Sequence, residues 1–225
     1  MDITTIAELG TAVGTLFLGV ATFGATRSAN RSARISERAL LLGLRPVLTP
    51  ARPEDPDQDV IFGDARTFRA RSGYAVVEAI DEVVYLSIPL RNVGAGLAVL
   101  QRYDVLTRNP IQESEYRRAH GLHDRSERRH GPLEEFRDQQ RDLYIAPGDT
   151  GYWQAAFRDS GDEQRRQLLA TIEARQPFSV DLLYGDHEGG QHAISRFNLV
   201  PEGEDSWFCT VVFHWNLDGR DPRAI

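Results

Sequence analysis

The stretch VVYLSIPLRN, Val83–Asn92, sets Val84, Leu86, Ile88 and Leu90 against Val83, Tyr85, Ser87 and Pro89 in unbroken alternation. A period of two is that of a strand with one face on a core, and Pro89 points to an edge or a bulge. The same period recurs on both sides. Residues 74–80 read as its hairpin partner, turning at Asp81 and Glu82, and Leu97, Val99, Gln101, Tyr103 and Val105 read as a strand after the turn NVGAG. Tyr144 and Ile145, then Pro147 and Gly148, then residues 152–157 read as strand, turn, strand. Phe178, Val180, Leu182 and Tyr184 share a face, GDHEGG turns the chain into residues 193–199, and residues 207–215 alternate throughout. About seven short strands with turns between them predict a mainly β domain, an antiparallel immunoglobulin-like β-sandwich over residues 60–225.

Two insertions interrupt these strands. In residues 160–176, Ser160 stands three residues before Glu163 as a capping box, Leu168, Leu169 and Ile172 form an apolar stripe, and Pro177 stops the helix. Residues 111–142 hold 7 Arg, 8 acids and 3 His, interleaved, so they form a polyampholyte and not a basic patch. Leu133, Phe136 and Leu143 seat one amphipathic helix there, with the remainder exposed.

Upstream the pattern changes. Residues 9–26, LGTAVGTLFLGVATFGAT, carry no charge and as a helix reach roughly 27 Å, enough for a bilayer core. Arg27, Arg31, Arg34, Arg38 and Arg45 come after it, whereas only Asp2 and Glu8 precede the run or sit at its start, the reverse of a cleaved signal peptide. The positive-inside rule places the chain beyond Arg27 in the cytoplasm, as a single-pass plasma-membrane protein. Arg27, Arg31, Arg34 and Arg38 fall on one helical stripe suited to the membrane surface, where anionic headgroups add about 1 kcal/mol per charge. Gly10 and Gly14 form a GxxxG pair that lets two helices pack as a homodimer. The anchor and its juxtamembrane helix occupy residues 1–45; Pro46, Pro50, Pro53 and Pro56 make residues 46–59 an extended linker.

Charge limits the partners. All 26 basic residues are Arg and face 33 acids, for a net charge of -7. The first fifty residues are net +2 and the remainder net -9, so the domain repels phosphate backbones and nucleic acid is excluded as its partner. Cys209 is the one cysteine and forms no intramolecular disulfide.

No catalytic pattern emerges. RNVGAGLAVL has Gly94 and Gly96 at dinucleotide-fingerprint spacing, but Val99 replaces the third glycine, and alternating strands succeed it in place of a βαβ unit. His120, His123 and His130, with Asp124, have no compact zinc spacing. Asp186, His187 and Glu188 suit a turn. Cys209 and His214 are five apart and lie on opposite faces of a regular strand; Cys209 shares its face with Trp207, Val211, Phe213 and Trp215 as a core residue. No metal or cofactor is expected.

LRPVL (residues 44–48), LRNVGAGLA (residues 90–98) and LLYGDHEGG (residues 182–190), in this order behind an N-terminal apolar helix, resemble a group of uncharacterised bacterial single-span membrane proteins with a C-terminal immunoglobulin-like domain. The resemblance implies architecture and location, not an activity. The function expected is therefore that of a membrane-anchored, non-enzymatic binding or scaffolding protein whose partners are the bilayer and another protein. Two alternatives stand beside it: a metal-dependent hydrolase using His120, His123 or His187, and a soluble domain that docks a partner through its N-terminal helix.

Overall fold

A computed structural model describes residues 3–107 and 130–218, with side chains in the N-terminal helix described at positions 18, 19, 22–37, 39, 40 and 43. The chain forms two compact units, Met1–Gly43 and Leu44–Ile225.

The first unit is one helix, α1 (Ile3–Gly43), of 41 residues. No proline interrupts it until Pro46, which disfavours helical backbone just before it. Among the described residues no helix is long and apolar enough to cross a membrane. Most of the charge-free run at residues 9–26, and with it Gly10 and Gly14, lies where side chains are outside the described set, as does the side chain of Arg38.

The second unit is mainly β. Its strands are β1 (Leu48–Pro50), β2 (Gln58–Ile61), β3 (Thr67–Ala70), β4 (Tyr74–Ile80), β5 (Val83–Asn92), β6 (Ala98–Leu106), β7 (Arg137–Ile145), β8 (Thr150–Phe157), β9 (Phe178–Gly185), β10 (His192–Glu202) and β11 (Ser206–Asn216). All pairings are antiparallel. Nine strands make one curled sheet, β1-β5-β4-β11-β10-β9-β6-β7 with β8 on β5, and β2 and β3 form a separate hairpin. The curl brings the β5 face (Val84, Leu86, Ile88, Leu90) and β8 (Trp153, Ala155, Phe157) into one core with Phe178, Val180, Leu182, Phe197 and Leu199. The two-residue turn of β4–β5 holds Asp81 and Glu82 at φ 49° and 64°, where the alternation put it.

Several segments depart from expectation. Residues 46–59 are not a free linker: Leu48 and Ala51 are buried and β1 pairs with residues 90–92 of β5, because Leu48 sits between the prolines and has a core to enter. Val60, Phe62 and Ala70 of the β2–β3 hairpin cover Val76 and Tyr85 on the outer face of the sheet. The helix expected around Leu133, Phe136 and Leu143 is replaced by a single 3-10 turn, Leu133–Glu135, and by β7, since residues 137–145 gain ladder bonds to β6. Residues 111–129 of that insertion lie outside the described residues.

Helix α2 (Glu163–Glu173) forms as the apolar stripe required, but its cap is Asp162 and not Ser160: the Asp162 carboxylate accepts from Gln164 N at 3.0 Å and is also held by Arg137. Leu168 is the side chain that α2 buries completely in the core, flanked by the partly buried Leu169 and Ile172. Leu168→Ala is expected to destabilise the domain by about 2–5 kcal/mol in urea unfolding, the range for a buried leucine leaving a cavity.

Candidate functional site

Residues 44–48, 90–98 and 182–191 meet in space. Residues 44–48 enter the domain by crossing the turn after β5: Val93 N donates to Val47 O (2.8 Å), Ala95 N to Arg45 O (3.1 Å). A Cβ on Gly94 would overlap Arg45 O and Val47 N, and one on Gly96 would overlap Leu44 O, so glycine is required at both positions by close backbone approach and not by a nucleotide. Asn92, fully buried, is the hub. Its Oδ1 accepts from Val47 N (3.2 Å) and Gly94 N (3.0 Å), while its Nδ2 donates to Gly96 O (2.7 Å) and Ile145 O (3.0 Å). Two acceptor and two donor positions are the full capacity of a carboxamide.

The third segment closes the far side. Arg45 Nε donates to Gln191 Oε1 at 2.7 Å, and Leu48 N donates to the Tyr184 hydroxyl at 3.1 Å. That hydroxyl lies 2.9 Å from Ser195 Oγ, which is 3.1 Å from His214 Nδ1 and 3.4 Å from Leu48 O. Burial pushes the Tyr184 phenol above its ordinary value. A serine hydroxyl beside an imidazole resembles a nucleophile and its base, yet Ser195 is fully buried beneath β1 and offers substrate no approach. The chain of hydroxyls instead fastens β1 to β9, β10 and β11.

A second buried polar group occupies the outer face of the sheet. Asp104, Asp181 and Arg196 are register partners across β6, β9 and β10. Asp181 and Arg196 form a bidentate pair, both contacts 2.6 Å, with side chains almost completely buried. Arg196 stacks on Trp215 at 5.1 Å, and the His130 ring meets the same tryptophan edge-on at 5.8 Å. Asp104 accepts from Gln164 Nε2 at 3.2 Å; burial, and then the charge of Asp181, push its carboxyl above the ordinary value.

Among the described residues, the candidates named from sequence do not assemble around a common point. Arg27, Arg31 and Arg34 are exposed on α1. His120, His123 and Asp124 lie outside the described residues; among those described, no group of three or more His, Cys, Asp or Glu side chains is placed to hold a metal. His187 is half exposed, 3.9 Å from Glu188, and Asp186 Oδ1 accepts from Glu188 N and Gly190 N as a turn residue.

Cys209 is a buried core thiol whose burial pushes it well above the ordinary value. Its expected face needs correction. The β10–β11 register shifts between Arg196 and Phe197, leaving Val212 unpaired, so Trp207 and Cys209 face the main core while Phe213 and Trp215 join Phe136, Leu183 and Ile194 on the opposite face. His214 thereby returns to the Cys209 face, but it pairs with Ser195 while Cys209 pairs with Leu199, four residues along β10.

Sequence reasoning missed Asn92, Tyr184, Ser195 and the Asp181–Arg196 pair. The available signal was polar residues inside apolar strands, FSVDLLYG and HAISRFNLV. No protein-family model, curated protein or solved structure matches the chain.

Asn92→Ala is expected to cost more than about 3 kcal/mol, because several buried backbone groups lose their partners at once; amide exchange at Val47 and Gly94 should accelerate. A carboxyl raised on folding adds stability that is complete below the unfolded value near 4 and is lost as pH rises through the folded value. Asp104→Asn should therefore flatten the fall in stability over that mildly acidic window, read by urea unfolding at stepped pH.

Proposed function

We propose that the chain is a membrane-anchored, non-enzymatic binding or scaffolding protein, with a single-pass helix in the plasma membrane and its β-domain on the cytoplasmic side. The observation that carries this reading is the surface of α1. Leu18 and Phe23 stand 72% and 70% exposed, uncovered by any of the described residues. The hydroxyls of Thr22 and Thr26 donate to Leu18 O (2.7 Å) and Thr22 O (2.8 Å), one turn back, so these polar groups need nothing from outside. Apolar side chains without cover and threonines satisfied within the helix suit hydrocarbon, where unmet donors are costly.

Arg27, Arg31 and Arg34 begin where the charge-free run ends, and the spacing adds Arg38. They supply the headgroup contact and the cytoplasmic bias of the domain behind them. Gly10 and Gly14 support packing of two such helices. The finer reading of the curled sheet as an immunoglobulin-like sandwich, and of the chain as a relative of the bacterial single-span group, is supported by the inner face of the sheet curling around one core and by the meeting of residues 44–48 with residues 92–96 and Tyr184.

Fractionation of the native membranes tests the anchor. The full chain is expected to stay in the pellet through high salt and alkaline carbonate and to leave it with detergent. Release by carbonate overturns the reading and favours a helix that docks a partner protein.

A further inference from the structure

Strand β4 is left half-paired. On one side residues 76–80 ladder with β5; on the other only Tyr74 and Ala75 meet β11, at Phe208 and Trp207. Cys209 N donates to Gly73 O at 3.1 Å, which sets the phase of that edge: Ala75, Val77 and Ala79 turn their N–H and C=O groups the same way. Because β11 begins only at Ser206, Val77 and Ala79 have no ladder partner on that side among the described residues.

Beside this edge runs a groove of about 260 Å³, with Arg69, Arg71, Tyr74, Glu78, Asp205 and Trp207 in its walls. The two arginines are engaged: Arg69 bonds the Asp57 carboxylate at 3.1 Å, and Arg71 lies 4.0 Å over the Tyr74 ring. The two acids are not. Glu78 is raised above its ordinary value by desolvation at the wall of the groove and by the Asp205 charge, and among the described residues neither acid has a basic partner.

We infer that this edge of β4 takes an extended peptide from a partner protein, hydrogen-bonded through Val77 and Ala79 and carrying a Lys or Arg between Glu78 and Asp205. The inference rests on the reading of the domain as a binding module and names the chemistry of its partner. Strand addition supplies up to four backbone bonds here, and the acid pair supplies selection for charge. A bare strand edge is otherwise a hazard that folded proteins cover or shorten, and in β4 it is confined to the backbone groups of Val77, whose side chain is in the main core, and of the exposed Ala79.

Panning random dodecapeptides on phage against the detergent-solubilised full chain, then measuring amide exchange of the complexes, tests it. The selected peptides should be basic and extended, and should slow exchange at Val77 and Ala79 at least tenfold. The double variant Glu78→Gln, Asp205→Asn should weaken them about tenfold. Ala79→Pro removes an outward donor without removing a bond to β5 and should abolish binding; if it unfolds, the charge variant decides, since both its side chains are exposed. Absence of binders, selection of acidic peptides, or protection at other amides overturns the inference. The two readings separate: a carbonate-resistant chain with no such peptide overturns this one alone, and a peptide-binding chain released by carbonate overturns the anchor alone.

Discussion

The buried carboxamide of Asn92 is the constraint on which the start of the domain depends. Four backbone groups from three separate segments end on one side chain: Val47 before β1, Gly94 and Gly96 after β5, and Ile145 at the end of β7. Asp would keep the acceptors and lose the donors, and Gln would carry the group one methylene too far. With the carboxamide fixed, the turn can lie flat under residues 44–47, and flatness admits no Cβ at Gly94 or Gly96. A motif that resembles a phosphate loop in letters is thus a backbone-on-backbone crossing.

Polar groups elsewhere in the domain obey the same logic. Ser87 donates to Trp153 O at 2.8 Å, fixing β5 against β8, and Gln139 joins β7 to β8 by accepting from Trp153 Nε1 and donating to Gln154 O, where no backbone ladder does so. The Asp181–Arg196 pair repays its desolvation only through bidentate geometry, so it fixes register more than it adds stability. Together these contacts admit one alignment of the nine strands and penalise slipped ones.

Much of the strand content was legible because residues alternate between the two faces of a strand, although in β5 both faces are buried, the outer one under the β2–β3 hairpin; the α2 stripe was legible because three apolar residues recur at helical spacing. What escaped has particular causes. Asp162 outcompeted Ser160 as a cap because Arg137, distant in sequence, also holds its carboxylate. β7 reads as a charged segment because its side chains are mostly exposed, and the ladder with β6 that makes it a strand leaves no mark on polarity. The proline-rich stretch reads as a linker until Leu48 is given a core to fill. The clamp around Asn92 was visible only as three short, unconnected motifs; their meeting is a property of the fold.

The unpaired Val212 lets a single strand serve two interiors, and it distributes the tryptophans accordingly. Trp153 and Trp207 sit in the main core, while Trp215 lies across the sheet against a guanidinium. Intrinsic fluorescence of this chain is consequently a composite from two faces, with Trp153 and Trp207 on one, the latter also under the Arg175 guanidinium, and Trp215 beside Arg196 on the other. A change confined to the Arg196 side would dim or shift only one emitter, giving the two faces separate optical signatures within one short length of backbone.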